Sequence, residues 1–598
     1  MLLHVEKKTK DLPRVYLLVH YDLFSLLGHF QIHRLPTELF DLYLGIYGHL
    51  IEECSDEAHS DWVFINADYL SKIFGVFCMG LMNYHHLRTA QVPKLLALVE
   101  KLCLMYALTP VFLESWFPFQ SDPDIMFYLH KTRIPGTIPL SGGPQYLPIY
   151  ELLKEFLFID GFYATAQSGI VSLCQVTGSS AMLQAWFQKC DFPEVILTCL
   201  VSGFNQVCYS DYCFPALNHN LHTFVPASNP NLARHLENLN FVVELQSSVH
   251  ESSLVCRTIL DCMRHEYTEA IVGYFHAAFD YQEPILALAC SSITYLCEIP
   301  GGERIAMAQL NSKEFQAVIT ESMARGNVVT STAVLKMLNT IVRYCSEEVV
   351  QSVFCHDNII PSLPRGCSSF VTRNVIRLTQ SENIPHSQVA NHLKVSRKRI
   401  ERLKGKRDGF SAGILVFDED ALFGVITKFC LARFFFNHIL VNVELVELIL
   451  NMLCYKQGSI LNFLTQGCDG ATETFLCESP FSLRTHETCV SFQITTYLYD
   501  SYVHYKPTLG EHPISDSTPI RHAVHIPPPE SVLNKFNQIL INAATKPLVD
   551  GINKWGDADS GESLQSNLPL NLKLFNTFYL NFYCCTKLLA LMSVSSAL

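Results

Sequence analysis

The sequence predicts an all-α protein, an elongated α-solenoid of the armadillo or HEAT kind with a smaller C-terminal helical part. Three observations lead there. At 598 residues the chain is too long for one compact core, since single cores stop growing near ~250–300 residues. Apolar helices of roughly 12–20 residues recur along it, each bounded by Pro, Gly or polar clusters. Charged residues make up only 17%, against about 25% in ordinary soluble domains, as expected where helices pack on both sides.

The elements follow in order. Pro36-Thr-Glu-Leu-Phe begins a helix, with Pro at a first-turn position and Glu38 at the positive helix end. Pro93–Leu108 carries only Lys94, Glu100 and Lys101 as charges, so most of its circumference is buried. Pro284–Cys297 repeats the design and stops at Pro300-Gly301-Gly302. Its Ala287, Ala289, Ser291 and Ser292 let a neighbouring helix approach closely. Lys313–Arg325 ends at Gly326, a residue suited to the left-handed cap. Val328–Cys345 follows at once, and Val443–Tyr455 places Glu444, Glu447 and Asn451 on one face. Strand signals are few, with only a weak alternation at Ser491–Tyr499.

Four stretches read as linkers or long loops: Pro118–Pro144, Cys213–Asn231, the polar and basic Cys355–Ala412, and Tyr505–Ser531 with Pro527-Pro-Pro529. The third divides the chain into an N-terminal helical array (1–354), a basic linker (355–412) and a C-terminal helical region (413–598). The loop at 505–531 interrupts the last of these.

The net charge of −13 argues against a broad nucleic-acid footprint. Many of the 22 cysteines lie inside apolar runs and read as free, buried thiols of a cytoplasmic protein. The N-terminus lacks a secretory apolar region. Residues 421–453 hold too many charges to span a membrane, and Phe575–Leu598 is broken by Asn581 and Lys587.

No phosphate loop, nucleophile elbow or metalloprotease pair is present. Cys208, Cys213, His219 and His222 have zinc-ligand residue types, but the gap between Cys213 and His219 is far too short for a finger. The expectation is therefore no catalytic residue, no cofactor and no metal. One local feature stands out. Ser387–Lys404 reads as helix, turn, helix, with Ala390, Leu393, Val395, Ile400 and Leu403 as a small core. Lys394, Arg397, Lys398, Arg399, Arg402, Lys404, Lys406 and Arg407 stand against one acid, Glu401. The segment is read as an electrostatic contact patch or a solvated loop ahead of a DNA reader.

A resemblance adds to this. Leu95–Phe117 is followed by Ile149-Tyr-Glu-Leu-Leu-Lys-Glu-Phe-Leu and Ala164–Cys174. Leu236–Leu245, the pair around Tyr267–Cys297, Val441–Leu450 and Gly458–Leu464 come after. This succession resembles the FHIP family, the Hook-interacting subunits of the FTS–Hook–FHIP complex, over residues 90–356 and 420–466. The resemblance implies a non-catalytic α-solenoid that binds an FTS-like protein and a Hook-like coiled coil. It also implies a link to vesicle membranes, in some members through an endosomal Rab GTPase. It carries over no binding residue. The function expected is that of a vesicle-cargo adaptor in microtubule-based transport. The rivals are a DNA-binding protein using 387–404 and another HEAT-type complex-assembly scaffold.

Overall fold

The structure is a computed structural model. It describes residues 37–55, 92–115, 147–208, 230–277, 282–325, 328–346, 355–360, 393–401, 414–417 and 437–455, with single positions at 74, 77, 78, 349, 350, 353, 430, 434, 571, 574, 575 and 578. These residues are almost entirely helical, so the chain is all-α in class. The expected linkers Pro118–Pro144 and Tyr505–Ser531 and the segment Ser491–Tyr499 lie outside the described residues, as does most of the region after 455.

Residue packing divides the chain into two compact units. One is Met1–Phe204 with Arg234–Cys262, the other Asn205–Ala233 with Met263–Leu598. These limits differ from the compositional division at 354/355 and 412/413. Composition marks polar stretches, whereas compactness follows which helices touch.

The first unit opens with α1 (Thr37–Cys54) and α2 (Val92–Leu108). They run side by side and parallel. Asp41 pairs with Lys94, Gly48 lies against Leu98, and Glu52 pairs with Lys101, all in rising order. Parallel neighbours need a returning segment between them, and Phe74, Phe77 and Cys78 are helical core positions there. Tyr47 stacks on Phe77 at 4.1 Å, and Phe74 meets Tyr106 and Phe112 edge-on. Such ring pairs contribute beyond their buried area.

Next come α3 (Val111–Glu114), α4 (Pro148–Phe156) and α5 (Tyr163–Thr177). Pro148 occupies the first turn of α4, where its missing N–H costs nothing. α5 packs on α2 and α4 so closely that a Cβ on Gly169 would lie 2.8 Å from Cys103 Sγ. α6 (Ala181–Phe187) starts at Ser180, whose Oγ accepts from the Met182 and Leu183 amides. α7 (Phe192–Cys208), α8 (Pro230–Ser248) and α9 (Leu254–Asp261, capped by Ser253) follow. α7 and α8 are antiparallel through Cys199–Asn238 and Gly203–His235.

In the second unit a π-helical turn at Cys262–Tyr267 leads into α10 (Thr268–Ala277). Then come α11 (Gln282–Glu298), α12 (Glu303–Leu310), α13 (Lys313–Arg325) and α14 (Val328–Tyr344). α13 has the bounds the sequence predicts, and α11 and α14 differ from prediction by one or two residues at an end. Between α11 and α12, Gly301 sits at φ +84°, and a Cβ on Gly302 would run into the Leu296 carbonyl oxygen. Each of these helices packs on the next. In addition α10 packs on α13 and α11 on α14. Ala287, Ala289, Ser291 and Ser292 of α11 are all buried, as their small size predicts.

The basic linker is not structureless at its ends. β1 (Cys355–Ile360) pairs antiparallel with a strand at Ile414–Phe417, Cys355 opposite Phe417 and Ile360 opposite Ile414, with a shift of register between His356 and Ile359. Ile359 and Ile360, and the run Ile414–Phe417, are strand-favouring residue types, whereas Asp357 and Asn358 lie at the shift. Residues 393–401 form one helix, α15, between these strands, and Ile414–Phe417 is then β2. The last described helix, α16 (Ile439–Tyr455), packs on α14.

Candidate functional site: a clamped basic helix

α16 is nearly all apolar. Three of its polar residues, Glu444, Glu447 and Asn451, recur at i, i+3 and i+7 and so share one face, while Asn442 belongs to a second network. Polar groups on such a helix need partners, because an unpaired one costs free energy when buried. α14 supplies Asn339 and Arg343, one turn apart. α15 supplies Arg399.

The three helices meet in a continuous network. Arg399 Nη2 donates to Glu447 Oε1 at 2.7 Å and its Nη1 to Asn451 Oδ1 at 3.1 Å. Arg343 Nη2 donates to the other oxygen of Glu447 at 3.0 Å. Asn451 Nδ2 donates to Asn339 Oδ1 at 2.6 Å, and Asn339 Nδ2 to Glu444 Oε2 at 3.4 Å. Burial raises the Glu444 carboxyl pKa, against the pull of Lys336, Asn339 and Arg343. Glu447 thus bridges two guanidiniums, and Arg399, with a side chain only 13% exposed, fixes α15 on its neighbours.

The two sides of α15 differ accordingly. Ser396 and Ile400 are buried, and Arg399 turns inward with them. Lys394, Arg397 and Lys398 point outward at i, i+3 and i+4, exposed and without a carboxylate partner among the described residues. Val395 sits among them, 50% exposed. Of the eight cations of the sequence patch, the structure brings these three onto one face and withdraws Arg399 from it. Arg402, Lys404, Lys406 and Arg407 lie outside the described residues, as do Ala390 and Leu403.

The helix-turn-helix reading places Val395 in a small core, and of its span 387–404 only 393–401 is described. The helix instead runs unbroken from 393 to 401, with Val395 in solvent. Tertiary anchoring by Arg399 and Ile400 overrides the weak helix propensity of Val and Ser. The partners of Arg399 were missed in the sequence. The available signal was the isolated Glu444, Glu447 and Asn451 on an apolar helix.

A second network lies beside this one. Asn437, Asn442 and Asn571 are all buried. Asn437 Nδ2 donates to Asn442 Oδ1 at 2.9 Å, Asn442 Nδ2 to Asn571 Oδ1 at 2.9 Å, and Asn571 Nδ2 to the Asn437 carbonyl at 2.8 Å. Phe575 packs edge-on against Phe434. The contact spans 129 residues of sequence, and no local pattern announces it.

In the first unit, α1 and α2 bound an open cleft of about 360 Å³, floored by Gly45, Gly48 and Leu98. Each of its lysines, Lys94 and Lys101, is paired across it with an acid. Among the described residues no group of three or more His, Cys, Asp or Glu is placed to hold a metal. Cys208 is a buried thiol, while Cys213, His219 and His222 lie outside the described residues. Twelve cysteines among the described residues are free, and burial raises the Cys103 thiol to about 12. No helix among the described residues is long and apolar enough to cross a membrane. No family model matches the chain, and no curated protein matches it.

Proposed function

We propose that the chain is a non-catalytic scaffold of armadillo type, an adaptor linking vesicle cargo to Hook-type dynein adaptors in microtubule-based transport. The observation that carries the scaffold reading is the packing order in the second unit. Helices touch their successors and also the third helix on, α10 with α13 and α11 with α14. The corresponding starts, Thr268 to Lys313 and Gln282 to Val328, are about 45 residues apart. Armadillo and HEAT repeats have periods of roughly 40–47 residues. A stack of this kind offers several separate surfaces to different partners at once.

The adaptor reading rests on the FHIP resemblance. It assigns the protein to the cytoplasm and to endosomal or other vesicle surfaces. Its partners are a Hook-like coiled coil, an FTS-like protein and a Rab GTPase. The test is affinity purification of the full chain from cells, followed by mass spectrometry. Recovery of a Hook-like and an FTS-like protein is the expected result. Recovery of neither, with a folded bait, overturns the adaptor reading and leaves a complex-assembly scaffold.

A further inference from the structure

We propose that the outer face of α15, formed by Lys394, Val395, Arg397 and Lys398, is a contact surface for an anionic lipid membrane. A basic stretch on a free loop is usually only solvated. Here the helix is clamped from behind by Arg399 on Glu447 and Asn451, with Ile400 buried beside it. The clamp uses one cation inward and leaves three outward on a single face, none paired with a carboxylate among the described residues. The exposed cations are therefore presented in a fixed direction.

The chemistry of the face favours lipid. Among the residues of α15 its only acid is Glu401, at the end of the helix. The sequence continues basic through Arg402, Lys404, Lys406 and Arg407. Clusters of four to eight Lys and Arg bind anionic leaflets through summed, non-directional attraction. Val395, half exposed among the cations, is the apolar residue such a helix places at the headgroup boundary. Among the described residues 393–401 the helix has no turn, so the face is argued from its charge and not from a recognition-helix geometry. The contact is independent of the adaptor reading, since it requires neither Hook nor FTS.

The test floats the full chain with vesicles of phosphatidylcholine, with and without about one-third phosphatidylserine, at about 0.1 M salt. The expected result is capture by the anionic vesicles alone. The triple variant Lys394→Glu/Arg397→Glu/Lys398→Glu should bind them roughly 100-fold more weakly. The control Lys189→Glu/Arg257→Glu/Lys313→Glu has the same net charge, alters exposed residues elsewhere, and should bind like the parent. Unchanged circular dichroism keeps the comparison between folded proteins. Equal binding by both triple variants, or no capture of the folded parent, overturns the proposal. So does tighter binding of the parent to polyglutamate or a random DNA duplex than to the anionic vesicles at equal charge, which would mark a generic polyanion site.

Discussion

The α7–α8 pair and the α14–α16 pair both bury polar side chains, and they surround them differently. Between α7 and α8 the chains come close at Gly203, and His235 is wholly buried against the Phe204 ring. Burial lowers the imidazole pKa to about 4, so it stays neutral. Between α14 and α16 Glu447 meets two guanidiniums, those of Arg343 and Arg399, at an edge where its side chain is one-third exposed. The difference shows what decides the state of a polar group at a helix interface. Two helices pressed together at a glycine admit no counter-charge. Adding a third helix at a partly open edge brings one.

The largest expected consequence is pH dependence at the neutral interface. His235 has a folded pKa below the ordinary value of 6.5. Above pH 6.5 both states are neutral there and its contribution is complete. As pH falls from 6.5 to about 4, the unfolded chain takes up a proton that the folded chain refuses. Stability drains by up to about 3 kcal/mol over that window. Urea unfolding at pH 7 and pH 5 should show most of the loss. In His235→Gln the pH slope should flatten, and a slope as steep as the parent's would show that the acid loss originates elsewhere.

A smaller effect should come from filling the close approach itself. A Cβ on Gly203 would lie 2.9 Å from Asn238 Nδ2 and 3.3 Å from the His235 Cα. In a helix interior Gly→Ala ordinarily stabilises. Here the added methyl must push α8 away or break the Asn238 bond to the Cys199 carbonyl, 2.8 Å long. The expectation is a net loss of about 2 kcal/mol in Gly203→Ala. The same change at Gly273, where nothing lies within 4 Å of the added atom, should be neutral or stabilising. Equal responses at the two sites in urea titrations would contradict the close-approach account.

Much of this fold was legible in the sequence because helices declare themselves locally. Pro at first turns, Gly301-Gly302 as a stop and the small residues of α11 all acted where they stand. What was not legible is non-local. Arg399 looked like one more surface cation, because its partners Glu447 and Asn451 lie about fifty residues on. Val395 looked like a core residue, yet it is half exposed, because Arg399 and Ile400 turn the other side of the helix inward. The pairing of Cys355–Ile360 with Ile414–Phe417 joins the two ends of a segment whose composition reads as linker. The candidate site was therefore half visible. Its cations were found, but not which of them face solvent.

That half leads to the smallest effect and the most discriminating one. Arg397 and Arg399 are two residues apart on one short helix, identical in type and opposite in role. Removing Arg399 strips Glu447 of one of its two guanidiniums and Asn451 of a donor. The site is partly open to water, so the loss should be about 1 kcal/mol, below that of a fully buried pair. Arg343 still neutralises Glu447, which limits the damage further. The loss should fall on α15 first, because the α14–α16 contact keeps its apolar packing without it. Amide exchange over 393–401 should then quicken about fivefold in Arg399→Met, with little change in α16. Arg397→Met removes a cation without a partner among the described residues, so exchange there should stay within measurement error of the parent. If the two variants exchange alike, Arg399 is no clamp. The outward face of α15 then has no fixed direction, and the contrast between a sealed neutral interface and a clamped charged one fails at its charged end.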